Sequence, residues 1–339
     1  MSSQEVTIAG KHLKLSNLEK VLYPQAGFTK AQVIDYYLRI APVLLPHTRD
    51  RPLTLKRYPN GVEAGYFYEK NCPSHRPPWV ETARVQGTRF CLLQDLATLA
   101  WLANLADLEV HVPLHRAKDP QRPDSIVFDL DPGAPADLVK CCEVAEILRG
   151  MFDELGLESF AKTSGSKGMQ IYLPLNTPVS YQQTKSFARA VAEALEAQRH
   201  DLVVSNMKKS LRAGKVLVDW SQNDEHKTTV GAYSLRAKER PTVSTPVTWE
   251  EVRRCLRKRD PSLLVFESHQ ALARVEQLGD LFAPLLRLKQ KLPAGAAKKG
   301  GSSRSRPGKA FPRPESVSGH RRRAAAKDGE DQADDRQHQ

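Results

Sequence analysis

The sequence predicts an α+β fold in which a mixed central β-sheet carries an acidic site and helices flank it. Three observations lead there. Two β-branched apolar runs end in aspartate, about ninety residues apart: Ser125-Ile126-Val127-Phe128-Asp129-Leu130-Asp131-Pro132-Gly133 and Lys215-Val216-Leu217-Val218-Asp219-Trp220. Each reads as a buried strand that opens into a site. Between them, helical periodicity over residues 136–155 and 181–198 alternates with strand-like stretches near Ser159 and Met169. The chain has 339 residues, 40% of them hydrophobic, enough to bury one large core or two smaller ones.

Taken in order, Ser16-x-x-Glu19 has the form of a capping box and predicts a short helix. Thr29 opens a longer amphipathic helix through Val33, Tyr36, Tyr37 and Ile40 toward Leu44. Residues Leu53 to Tyr58 read as a strand that ends in basic residues. Asp95 caps a helical run from Leu96 to Leu105, rich in Ala, Leu and Trp. A helix follows the Asp129 strand, then the two strands, a helix from about Tyr181 to Gln198, and the strand that ends at Asp219. No internal repeat or linker interrupts this body. From Pro293 onward Gly, Ala, Ser, Pro, Lys and Arg dominate, a composition that cannot build a core and predicts a disordered basic tail over 293–339.

The acidic residues suit metal chemistry. Residues i and i+2 of a strand share a face, so Asp129 and Asp131 can point together, and Asp219 from a neighbouring strand would complete a cage. Three carboxylates fit hard divalent cations such as Mg²⁺ or Mn²⁺, which leave positions open for phosphate. Asp131-Pro132-Gly133 alone is also ordinary turn chemistry. Asp129 is harder to dismiss, since it sits inside an apolar run where an unpaired carboxylate is costly to bury. Further on, Thr163-Ser164-Gly165-Ser166-Lys167-Gly168 has the composition of a phosphate cradle, with glycines for close approach, hydroxyl donors and a lysine charge. It is not a Walker A loop, because the G-x-x-x-x-G-K-[ST] pattern is absent and a strand follows. A solvated Gly/Ser hairpin is the plain alternative. With the acidic block nearby, a nucleoside triphosphate is the simplest ligand that explains both.

Formal charge is +12, and the tail carries 11 Lys/Arg against 6 Asp/Glu, so most of the basic excess belongs to the body. That balance points toward a polyanion partner. Five cysteines (Cys72, Cys91, Cys141, Cys142, Cys255) with no C-x-x-C pair argue against a disulfide framework or zinc ribbon and for a reducing cytosol. No apolar run approaches the length of a membrane span, and the N-terminus lacks a secretory h-region, so a cytoplasmic protein with no membrane partner is expected.

Several blocks together resemble one family: Glu19-Lys20-Val21-Leu22-Tyr23-Pro24, Arg51-Pro52-Leu53-Thr54-Leu55-Lys56-Arg57, Phe128-Asp129-Leu130-Asp131-Pro132-Gly133, Ser164-Gly165-Ser166-Lys167-Gly168, Ser210-Leu211-Arg212-Ala213-Gly214-Lys215 and Val218-Asp219-Trp220-Ser221-Gln222-Asn223. The chain is similar, from about Leu15 to Leu288, to the polymerase domain of bacterial ligase D, a branch of the archaeo-eukaryotic primase superfamily. The resemblance implies a catalytic domain over 1–292 whose region about 15–60 captures DNA 5′-phosphate. It implies that Asp129, Asp131 and Asp219 hold two Mn²⁺ or Mg²⁺ ions. It implies that Ser164, Ser166, Lys167, Lys227 and Arg236 hold the triphosphate, and that His111, Lys56, Arg212 and Gln222 line the nucleotide pocket. Asn17, Lys20 and Lys30 match a 5′-phosphate pocket. Phe67 and Tyr68 match an aromatic pair that stacks on template bases, at about 1–3 kcal/mol per base. The implied activity is template-dependent addition of nucleotides, preferentially ribonucleotides, at gaps and ends of double-stranded DNA during non-homologous end joining in the bacterial nucleoid.

One departure from the family stands out. Relatives carry histidine two residues after the Ser-Gly-x-Lys-Gly block, where this chain has Gln170. Gln donates hydrogen bonds but carries no charge, so losing a charge-assisted contact would cost about 1.5–3 kcal/mol. No K-x-D-G adenylation motif is present, and Lys327-Asp328-Gly329 lacks the spacing, so a separate DNA ligase and an end-binding protein are the expected partners. A primase that starts chains de novo, or a weakly catalytic DNA-end-binding bridge, would use the same features.

Overall fold

The computed structural model describes residues 3–293, so the predicted tail, from residue 294 on, lies outside the described residues. Its centre is a six-stranded mixed sheet. In spatial order the strands are Val203–Val204, Val216–Asp219, Ser125–Pro132, Met169–Pro174, Phe160–Thr163 and Pro246–Val247. A second, four-stranded antiparallel sheet runs Thr229–Val230, Asp107–Val112, Thr54–Arg57 and Phe67–Glu69.

Strand alternation assigns the faces of the central strand. Ile126, Phe128 and Leu130 enter a core built with helices Leu138–Glu154, Tyr181–Gln198 and Trp249–Lys258. Val127 points the other way, into a separate core around helices Lys30–Thr48 and Leu96–Asn104 and the four-stranded sheet. Asp129 and Asp131 share the Val127 face, on the side of the sheet turned toward that second core.

The predicted helices form where their caps stand. Thr29 accepts from the Gln32 N–H while the Gln32 side chain returns to the Thr29 N–H, and the helix continues through Pro42 and Pro46. Asp95 accepts from the Thr98 N–H, and Ser180 with Gln183 opens the helix that ends at Gln198.

Two expectations need correction. Ser16-x-x-Glu19 opens no helix: Ser16 ends the strand Lys11–Ser16, its N–H donates to Asn104 Oδ1 at 3.0 Å, and Asn17 reverses the chain at φ 54°. The residues after it, Val21–Tyr23, are strand and lead into Pro24, so no apolar helical face exists to sustain a helix. Second, Cys72 and Cys91 form a disulfide across 19 residues, and only Cys141, Cys142 and Cys255 are free and buried. The Cys72 N–H meets the Arg89 carbonyl, and Thr88–Cys91 pairs with Thr82–Val85. That tertiary pairing brings the two thiols together with no local sequence signal, so the cysteine pattern no longer argues for a reducing compartment. No described helix is long and apolar enough to cross a membrane.

The phosphate-loop segment is locked against the central strand at Gly168. A Cβ there would lie 2.0 Å from the Leu130 carbonyl oxygen and 3.3 Å from Pro132 Cδ. Gly168→Ala is therefore expected to destabilise by about 1–3 kcal/mol. Gly150→Ala, in the helix Leu138–Glu154 with open space around it, is expected to stabilise by about 0.5–1 kcal/mol. Urea unfolding of the two variants beside the parent checks both signs.

Candidate active site

A polar row crosses the central sheet. Asp219 pairs with Asp129, Asp129 with Gln170, and Gln170 with Lys162, each directly opposite the next on adjacent antiparallel strands. Residues opposite each other share a face, so the row is continuous over four strands, and Asp131 joins it two residues beyond Asp129. The sequence reading thus placed the three aspartates on one face correctly, and Gln170 takes its place in the same row.

Gln170 is buried and fully engaged. Its Nε2 donates to Asp129 Oδ1 at 3.1 Å, and its Oε1 accepts from the Tyr172 hydroxyl at 3.2 Å. Tyr172 in turn meets Thr229 Oγ1 at 3.1 Å. The amide thus orients a carboxylate with one N–H, and Gln170 also lines the cleft described below. Asp219 accepts from the Ser221 N–H (2.8 Å), the Ser221 hydroxyl (2.6 Å) and Gln222 Nε2 (3.1 Å).

Burial and mutual repulsion load this face. Burial, then the Asp131 and Asp219 charges, push Asp129 well above the ordinary carboxylate range, against the Gln170 hydrogen bond. Burial and Asp219 raise Asp131, against Arg212 and Arg236. At the end of the row, burial lowers the Lys162 ammonium to about 7, against the pull of Asp129, and its Nζ donates to Ser244 Oγ at 2.6 Å. Among the described residues no three His, Cys, Asp or Glu side chains are gathered tightly enough to hold a metal. The expected cage is therefore present as a face rather than as a closed cluster, with Asp129 drawn to Gln170 and Asp219 to Ser221 and Gln222. The donor chemistry fits Mg²⁺ or Mn²⁺: three hard carboxylates on one face, held apart by repulsion that a divalent charge would remove.

Above the row lies a cleft of about 410 Å³, lined by His111, Asp129, Asp131, Ser164, Ser166, Lys167, Gln170, Arg212, Gln222, Arg236 and Lys238. Most of the expected nucleotide-site residues meet here. The loop is pre-organised by its own first serine: Ser164 Oγ accepts the N–H groups of Ser166 and Gly168, each at 3.2 Å. Ser164 is thereby a brace for the loop, while Ser166 and Lys167 face the cleft. Arg236 Nη1 donates to the Ser164 carbonyl, joining the loop to the other sheet. Arg212 Nη2 donates to the Met207 carbonyl at 2.8 Å.

Two expected members stand back. Lys227 lines a neighbouring cavity and reaches the row only through the Ser221 hydroxyl, which bonds Asp219. Lys56 lies behind His111, 3.4 Å from Glu109 and 4.4 Å from the Tyr66 ring centroid, with Tyr58 and Tyr68 also around it. Sequence reasoning missed Glu109, Lys238 and Lys162. The alternation Asp107-x-Glu109-x-His111 in a strand was the available signal for Glu109.

The remaining predicted residues form two patches. Lys20 Nζ donates to Asn60 Oδ1 at 3.0 Å, and Lys30 Nζ to the Ser16 carbonyl at 2.6 Å, beside Asn17. Burial, then the Lys20 and Arg57 charges, lower Lys30 to about 8. The two ammonium groups are thus close enough to repel, each on its own acceptor. Tyr66, Phe67 and Tyr68 are all exposed, so neither ring of the predicted pair plugs the core, and Phe67 lies over the Arg57 guanidinium at 5.1 Å.

Fold and site together define a primase-polymerase. The chain belongs to the LigD primase-polymerase domain family, whose model matches residues 29–282. It is 45% identical over 281 residues to the multifunctional non-homologous end joining protein LigD of Mycolicibacterium smegmatis, covering 81% of this chain and 36% of that protein. It is 32% identical over 285 residues to the bifunctional LigD of Bacillus subtilis, covering 84% of this chain and 46% of the relative. The chain therefore spans less than half the length of these relatives. Among solved structures it is similar to the polymerase domain of Mycobacterium tuberculosis ligase D in complex with DNA, with a TM-score of 0.75 and 41% identity, covering 81% of this chain and 98% of that one.

The engagement of Gln170 yields a paired expectation. Gln170→Leu removes the hydrogen bond to the buried Asp129 carboxylate and leaves the Tyr172 hydroxyl with Thr229 alone, and is expected to cost about 1–3 kcal/mol in urea unfolding and to depress nucleotide addition. Gln170→His, which keeps a donor for Asp129, is expected to match or exceed the parent in nucleotide addition; a large loss would show that the row accepts only the amide.

Proposed function

We propose that this domain adds nucleotides, preferentially ribonucleotides, to a primer strand at gaps and ends of double-stranded DNA that bear a 5′-phosphate, in the repair of breaks by non-homologous end joining on the bacterial chromosome. The observation that carries the reading is the row of aspartates in register beneath a cleft lined by Lys167, Arg236, Lys238 and Ser166. An acidic floor under a basic wall suits a nucleoside triphosphate, which carries its metal on one side and its charge on the other. A DNA ligase activity and an end-binding protein are what this role calls for beside the domain.

When bound by Asp129, Asp131 and Asp219, two divalent ions, Mn²⁺ or Mg²⁺, would supply the Lewis acidity that activates a primer 3′-hydroxyl and stabilises the departing pyrophosphate. The rest falls to the chain's own groups. Lys167 and Arg236, with Lys227 at the edge, offset the charge that develops on the phosphates. Gln170 and Gln222 hold Asp129 and Asp219 in place. Ser164 keeps the loop N–H groups from collapsing into another arrangement. Tyr68 and Phe67 present faces on which template bases can stack.

Primer extension on a gapped duplex with Mn²⁺ tests the whole reading, comparing ribonucleotides with deoxyribonucleotides and a 5′-phosphate with a 5′-hydroxyl at the gap. Phosphate-stimulated ribonucleotide addition is expected; end binding without incorporation would replace the polymerase with a bridging protein. Asp129→Ala and Asp219→Ala are each expected to abolish extension and leave duplex binding in place, and extension by either variant would remove the metal assignment.

Lys20→Ala combined with Lys30→Ala is expected to erase the preference for the phosphorylated gap. The same pocket predicts a pH dependence. Only protonated Lys30 attracts a phosphate, and its ammonium is lowered to about 8 by burial, Lys20 and Arg57. The preference is therefore nearly full at pH 7, falls as pH rises through 8 and is mostly lost above 9, while Lys30→Arg, which stays charged, holds it flat. Fluorescence anisotropy of phosphorylated and unphosphorylated ends between pH 7 and 9.5 reads this directly, and a pH-independent preference in the parent would exclude Lys30.

A further inference from the structure

We infer that Glu109 is the positioning residue of the nucleotide pocket, a buried anion that gathers Lys56, His111 and Arg236 and holds His111 and Arg236 in the arrangement in which they meet the incoming nucleotide. The inference rests on the nucleotide reading above and deepens it. Glu109 is 1% exposed and lies mid-strand in Asp107–Val112. Its Oε2 sits 2.9 Å from His111 Nε2 and 3.4 Å from Lys56 Nζ. Its Oε1 lies 3.3 Å from Arg236 Nε and accepts the Ala237 N–H at 3.0 Å.

These contacts come from three places in the chain. Lys56 is directly opposite Glu109 on the adjacent strand, and His111 is two residues along on the same face. Arg236 arrives from the segment beyond the strand Thr229–Val230. Glu109 itself does not line the cleft, whereas His111 and Arg236 do. A lone carboxylate so deeply buried would be driven toward its neutral form. Here burial does push it up, but the His111 hydrogen bond and the Arg236, His111 and Lys56 charges override that and hold it ionised, well below the usual range.

The reciprocal effect is what positions the pocket. Without the carboxylate, three groups that carry or can take positive charge would repel one another and separate. With it, they converge on one point, and His111 and Arg236 are aimed into the cleft by a fixed hub. Arg236 extends the hold further, because its Nη1 fixes the Ser164 carbonyl and with it the phosphate loop. The Tyr58, Tyr66 and Tyr68 rings close on Lys56 from the other side. Glu109 thus acts through its neighbours and touches no nucleotide.

Glu109→Gln tests this on the full chain. Glutamine keeps the side-chain size and the acceptor for the Ala237 N–H, and replaces the charged oxygen that faces His111 and Lys56 with an uncharged NH2. In single-nucleotide addition on a gapped duplex, the KM for the nucleoside triphosphate is expected to rise about tenfold or more, with kcat changed far less. Anisotropy with a 5′-phosphorylated duplex is expected to be unchanged. The NMR titration of the His111 imidazole supplies a readout that loss of packing alone would not mimic. Burial lowers its protonation midpoint and so do the Arg236 and Lys56 charges, while Glu109 alone raises it, with the Tyr68 ring edge against it. The midpoint is therefore expected to fall further in Glu109→Gln and to return toward the parent in Glu109→Asp.

An unchanged KM or an unchanged His111 titration in Glu109→Gln overturns the positioning role even where the parent polymerises. Failure of the parent to add any nucleotide overturns the nucleotide reading instead. Should Glu109→Gln not fold, Glu109→Asp decides: its shorter arm is expected to raise KM while preserving the His111 midpoint, and parental KM in that variant overturns the role.

Discussion

The strand Ser125–Pro132 is paired along both edges, and the rest of the site depends on that double pairing. One edge meets Met169–Pro174 and the other Val216–Asp219, both antiparallel. Because the side-chain period of a strand is two, fixing these registers fixes which residues enter the helical core and which look into the cleft. Phe128 and Leu130 secure the strand to the helices; Asp129 and Asp131 are the residues left on the other face. The same registers set Asp219 and Gln170 beside Asp129 without any contribution from a loop.

Charge is divided between the two sheets. The central sheet supplies the carboxylates, and the four-stranded sheet with its neighbouring segments supplies His111, Lys56 and Arg236. Each set is unfavourable alone, the anions because they crowd and the cations because they are half-buried. Arg236 spans the two, with Glu109 on one side and the Ser164 carbonyl on the other. Arg236 thus ties the Ser164 loop of the central sheet to a carboxylate of the four-stranded sheet.

Much of this was legible in the sequence, and the reasons are local. The aspartates at the ends of apolar runs, the capped helices from Thr29 and Ser180, and the strand after the Ser-Gly-Ser-Lys-Gly loop all follow from short-range pattern. What was misread depends on distant partners. Ser16 is claimed by Asn104, and so the helix its spacing suggests never starts. Cys72 finds Cys91 only through a hairpin formed between them. Gln170 is bound to Asp129 and Tyr172, which a motif comparison reads only as a missing histidine.

The alternation along the central strand has a bearing on how such a chain can vary over evolutionary time. A single-residue insertion or deletion between Ser125 and Phe128 would turn both aspartates into the helical core and present Phe128 and Leu130 to the cleft. Substitutions can be accepted there one at a time, but length changes only in pairs or as a bulge that absorbs the odd residue. The strand is therefore a frame with parity as its rule.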